Sequence, residues 1–163
     1  MTLTIEELSA REEIGDVIKK LARGTDRLDA EAMIACYHPD GFDDHNSFRG
    51  APAAFAQWVG EVLSAFEQTM HFVGSPSVRL DGDTAQVDTY CVAHHVRAEN
   101  DLVIGLRYVD RFERRDGLWL IARRVCAFDW TYTVAFDPAS RMVFAEDFTV
   151  GTRNRDDISY RGV

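Results

Sequence analysis

The apolar positions of the chain change period near residue 70, and that change divides the sequence into two parts. Before it, Ala10, Ile14, Val17, Ile18 and Leu21 recur at the three- and four-residue spacing of one helix face. Thr4-Ile5-Glu6-Glu7 precedes them in the form of a capping box, so a first helix is predicted to about residue 24, with Gly24 near its end. Asp29 can cap a short second helix carrying Met33, Ile34 and Tyr37, which His38-Pro39-Asp40-Gly41 then breaks. A third helix begins at about Pro52, a residue favoured in the first turn, and presents Phe55, Trp58, Val59, Val62 and Phe66 as its apolar stripe.

From residue 70 the period is that of strands. Asp81-Gly82-Asp83, Glu99-Asn100-Asp101 and Arg115-Asp116-Gly117 punctuate β-rich runs at roughly 70–80, 84–97, 102–114 and 118–134. Links this short join antiparallel neighbours, because a parallel crossover needs about a dozen residues. Helices first and a strand meander afterwards predict an α+β domain, with the helices on one face of a curved sheet. Residues 137–163 are less periodic and more polar; they could cap a pocket, cross to a neighbouring subunit, or fray.

Length and charge narrow the function. The 163 residues suit one domain, 1–163, able to enclose a small-molecule pocket. A formal net charge of −9, with basic residues scattered apart from Arg114-Arg115 and Arg123-Arg124, does not make the clustered basic face that nucleic acid requires. Cys36, Cys91 and Cys126 show neither the even count of a disulfide framework nor the spacing of a zinc knuckle. The first ten residues carry acids and no apolar run, and no stretch approaches the roughly 20 apolar residues of a membrane span. No nucleic acid, no membrane and a reducing cytoplasm are the expectations.

Few residues are candidates for chemistry. Asp26 follows the first helix and His71 opens the first long strand; singly they read as a surface or capping carboxylate and a packed imidazole. Together they suggest a base, since a carboxylate bonded to an imidazole fixes its tautomer and raises its basicity. Arg124, among apolar strand residues, is either snorkelling at an edge or a cation set in a cavity to steady an oxyanion. Tyr37, Tyr90 and Trp130 read as core or as pocket wall. His38, Asp43, Asp44 and His45 lack metal-ligand spacing and read as solvated turn residues. His94 and His95 are adjacent in a strand and so point to opposite faces.

The order of these segments is similar to a known family. A helix, Gly24-Thr25-Asp26-Arg27, a short helix, Cys36-Tyr37-His38-Pro39-Asp40, a third helix, Thr69-Met70-His71, and hairpins ending in Arg114-Arg115-Asp116-Gly117-Leu118-Trp119 resemble the nuclear-transport-factor-2-like superfamily over about residues 5–134. Within it the SnoaL-like branch, near scytalone dehydratase, lindane dehydrochlorinase and bile-acid 7α-dehydratase, is the nearest in pattern. The resemblance implies a cone-shaped curved sheet around the N-terminal helices with a deep apolar pocket, no cofactor, and a homo-oligomer, a trimer before a dimer; the missing ligand spacing separately predicts no metal. It places the family's catalytic Asp on Asp26 and its His on His71. The dehydrochlorinase's pocket Arg falls on Arg124, while the dehydratase's tyrosines have no counterpart, Tyr37 being out of place. The implied activity is a lyase acting on a small aromatic or polycyclic substrate, losing water, halide or an aldehyde fragment. An isomerase or cyclase using the same base, and a ligand-binding or assembly module without catalysis, stand beside it.

Overall fold

The computed structural model describes residues 2–162. Helix α1 (Ile5–Asp26) begins at the predicted capping box: the Glu7 amide donates to Thr4 Oγ1 at 3.1 Å and the Thr4 amide to Glu7 Oε2 at 2.7 Å. Ala10, Ile14, Ile18 and Leu21 form its buried face. The helix does not stop at Gly24. That residue instead lets α2 (Ala30–Ile34) approach closely, since a Cβ there would lie 3.2 Å from the Met33 side chain. Asp26 is therefore the last residue of the helix and not part of the following loop. The chain then turns through Leu28, whose φ of 53° is left-handed, and Asp29 caps α2 by accepting from the Ala32 amide at 3.1 Å.

The expected break at residues 38–41 is a strand. β1 (Tyr37–Asp44) runs parallel to β7 (Leu118–Ala135), pairing Tyr37 with Ile121 and Phe42 with Arg123. The ladder is irregular between Tyr37 and Phe42, and this is where Pro39 falls, a residue that cannot donate to a ladder. Gly41 lies in the same stretch, where a Cβ would meet the His38 carbonyl oxygen at 2.8 Å and that of Ile121 at 3.1 Å. Turn-type residues here serve a bent, inserted strand. The short β2 (Arg49–Gly50) and α3 (Pro52–Leu63) follow.

The meander follows the predicted turns. The expected run at 70–80 is two strands, β3 (Gln68–Val73) and β4 (Ser77–Asp81), both antiparallel to β5 (Thr84–Val96). β6 (Asn100–Arg115) and β7 complete a seven-stranded, unclosed sheet in the order β2-β1-β7-β6-β5-β3, with β4 beside β3 on β5. All its long pairings are antiparallel except β1 with β7. The sheet curves over α1 and α3, and the core between them includes Ile14, Ile18, Phe55, Val59, Phe112 and Ile121. After β7 the chain returns to the helices. Arg153 donates to the carbonyls of Leu63 and Phe66, Arg155 pairs with Asp29, and the Tyr160 hydroxyl donates to Asp29 at 2.9 Å.

Candidate active site

The helices and the concave side of the sheet enclose a cavity of about 230 Å³. Its aromatic walls are Phe55 and Trp58 from α3, Tyr108 from β6 and Phe128 from β7. Three histidines, His45, His71 and His95, and Arg124 interrupt this apolar lining.

Inward parity on β3 turns His71 to the cavity, where the end of α1 meets it. Asp26 Oδ2 accepts from the His71 amide at 2.9 Å, and Oδ1 accepts from Nδ1 at 2.7 Å. Burial works to raise the Asp26 carboxyl, but the hydrogen bonds from His71 lead the causes that outweigh it and hold it below its ordinary value. An ionised carboxylate only accepts, so Nδ1 must carry the proton, and the neutral ring offers Nε2 as its basic nitrogen. Both side chains are nearly buried, at 13% and 10% exposure. The sequence placed these two residues near one another only by motif order; the fold puts them in direct contact.

His95, on β5, stands edge-on to His71 with ring centroids 5.4 Å apart, and its Nδ1 is buried without a partner. Burial first, and the neighbouring His71 second, push its pKa down to about 4, so it is neutral near pH 7. Parity had separated it correctly from His94, which faces outward to Asp101.

Arg124 lines the cavity, yet it is not a free cation. Its Nε and Nη2 donate to the two oxygens of Asp110 at 2.8 and 2.7 Å, and its guanidinium lies 4.0 Å from the centre of the Tyr108 ring. Burial opposes the charge, and Asp110 outweighs it, lifting the pKa further above its already high value.

The three expected wall aromatics lie elsewhere. Tyr37 is buried behind the wall, its hydroxyl donating to Asp43 Oδ2 at 2.5 Å. Tyr90 has outward parity on β5 and is 68% exposed, beside Arg107. Trp130 is displaced by an irregularity in the ladder: Leu106 pairs with Phe128 and Gly105 with Trp130, so Asp129 is an extra residue. Trp130 therefore covers the outer face of Gly105 and stacks on Tyr132, while Phe128 keeps the inward place.

Sequence reasoning missed a second imidazole–carboxylate pair. Asp43 is wholly buried and His45 nearly so; His45 Nδ1 bonds Asp43 Oδ1, and its Nε2 lies 3.2 Å from Cys126 Sγ. The two are i and i+2 at the end of β1, so reading that segment as a strand would have put them on one face. Among the described residues, no three His, Cys, Asp or Glu side chains are grouped as a metal ion's ligands would be. Nor, among the described residues, is any helix long and apolar enough to cross a membrane.

A helix-backed, curved α+β sheet around a histidine-bearing apolar cavity defines a class of small pocket proteins, and the comparisons say which. Residues 6–125 match the family model of the SnoaL-like domain, and the chain belongs to that branch of the nuclear-transport-factor-2-like superfamily. An uncharacterized protein of Mycobacterium tuberculosis (strain ATCC 25618 / H37Rv) is 32% identical over 129 residues, covering 76% of this chain and 88% of its own. The fold is similar to that of a hexachlorocyclohexane dehydrochlorinase (LinA type 2), with TM-score 0.72, 14% identity, and 86% and 97% of the two chains covered. It is also similar to a putative scytalone dehydratase from Novosphingobium aromaticivorans DSM 12444, with TM-score 0.70, 19% identity, and 83% and 97% covered.

Proposed function

We propose that the protein is a cofactor-independent lyase acting on a small aromatic or polycyclic substrate in the cytoplasm, as a homo-oligomer, with a trimer favoured. One observation carries this reading: Asp26 grips both the amide and the ring of His71 at the wall of an apolar cavity. In that geometry His71 Nε2 removes a proton from the substrate, and the electron pair expels a group from the neighbouring carbon. Excluding water keeps the base desolvated and strengthens each charge interaction along the path. Phe55, Trp58, Tyr108 and Phe128 supply flat apolar surfaces suited to a ring. Arg124 adds a fixed dipole, because its pairing with Asp110 leaves little net charge to stabilise an anion.

The names of the structural neighbours suggest where a search should start: halogenated cyclohexanes and hydroxylated bicyclic ketones. Each compound is incubated with the protein, with His71→Ala and with Asp26→Asn, and products are weighed by mass spectrometry. Loss of water or hydrogen halide that depends on both residues supports the lyase. Near-wild-type turnover in folded His71→Ala removes the base. Conversion without mass change makes the protein an isomerase or cyclase with the same base.

A further inference from the structure

Across β1, β7 and β6, residues Asp43, Arg124 and Asp110 occupy neighbouring register positions. None has appreciable exposure. Arg124 commits both of its bonding nitrogens to Asp110, which leaves Asp43 as a buried anion without a guanidinium. Its hydrogen-bond partners are the Tyr37 hydroxyl and the ring of His45. A carboxylate out of water requires a compensating charge, and an imidazolium at His45 is the neighbour that can supply it.

The pair that holds His71 differs. Asp26 keeps some solvent contact, accepts the His71 amide as well as its ring, and feels the Arg153 guanidinium of the returning tail. His45 is also fixed in place, stacked on Phe55 with centroids 4.7 Å apart. Its Nε2 meets only the Cys126 sulfur, which burial keeps as a neutral thiol and which is a weak acceptor. Among the described residues, no strong acceptor competes with a substrate oxygen for that proton.

We propose that His45 is the proton donor of this cavity and that the group it releases is an oxygen, so the elimination is a dehydration. This rests on the elimination reading above. His71 Nε2 takes the proton from carbon, and the C–H electron pair becomes the C=C bond. The C–O bond breaks with its pair on oxygen, and the His45 Nε2 proton joins that oxygen, which leaves as water. The proton gained by His71 and the one lost by His45 are then exchanged through solvent. Chloride departs without protonation; hydroxide does not, and a built-in donor has a purpose only for the second.

The test uses the full chain. Nitrogen NMR at about pH 7.5 is expected to show an imidazolium at His45 and a neutral ring once Asp43→Asn is made. Two probes, a β-hydroxytetralone and its β-chloro counterpart, both yield a fluorescent naphthol on elimination. His45→Gln is expected to slow the hydroxyl probe by about 10²-fold or more while leaving the chloride probe within a factor of about three. A neutral His45 in the wild type, or equal losses on both probes, overturns the assignment. His71→Ala should abolish both reactions. Where turnover survives His71→Ala, the elimination reading falls and this inference with it; a neutral His45 beside His71-dependent turnover removes this inference alone.

Discussion

Arg124 and Asp110 form a two-bond ion pair, at 2.8 and 2.7 Å, with 3% and 0% of their side chains exposed. Removing one partner strands the other charge out of water, which costs about 3–5 kcal/mol. Arg124→Ala is expected to lose that much stability in urea denaturation. Arg124→Met with Asp110→Leu should cost far less than the two single changes summed. If Arg124→Ala unfolds at the wild-type midpoint, the pair is not structural.

Asp26→Asn preserves shape and removes the acceptor that fixes the His71 tautomer. Turnover is expected to fall by about 10²–10⁴-fold. The melting temperature should move by only a few degrees, since Asp26 keeps some solvent contact. Parallel losses of activity and fold would assign Asp26 a structural role alone.

His95 gives the fold a pH dependence of definite sign. Its pKa is about 4 in the fold and about 6.5 in the unfolded chain, so unfolding takes up a proton between those values. Its contribution is complete above about pH 6.5 and is lost as pH falls toward about 4, by at most ~1.4 kcal/mol per pH unit. Denaturant midpoints of His95→Phe should fall less steeply than wild type between these limits. Equal slopes would place the effect elsewhere.

Gly105→Ala would drive a methyl group into the Trp130 indole, which covers that backbone on the outer face. A cost of about 1–3 kcal/mol and a red-shifted tryptophan emission are expected. Activity should persist, because the cavity lies on the opposite side of the sheet.

Met70, Phe72, Tyr90, Trp130 and Tyr132 are each about half exposed or more. The proposed oligomer covers this face with a second copy. Phe72→Glu and Tyr132→Glu are expected to lower the mass found by sedimentation. An unchanged oligomer would place the contact elsewhere, and a monomeric wild type would remove the proposal.

What could be read from the sequence was what is local. The capping box at Thr4, the Asp29 cap, Pro52 and the glycine turns each act within a few residues, and the structure follows them. β1 was not legible, because its partner lies about 80 residues away and its turn-forming residues mask a bent strand. Trp130 was misplaced because one extra residue, Asp129, changes the parity of everything after it. The contact of Asp26 with His71 was anticipated from the motif order; the pairing of Asp43 with His45 was hidden by the same misreading of β1.

The charged row Asp43-Arg124-Asp110 also bears on how the chain finds this arrangement. β1 has Pro39 and Gly41 in its middle and little regular hydrophobic alternation to specify where it docks on β7. A slip by one residue would exchange its two faces and leave a buried carboxylate facing nothing. Misaligned insertion of this long-range strand is thereby made costly, so a charged row beside the cavity also proofreads its assembly.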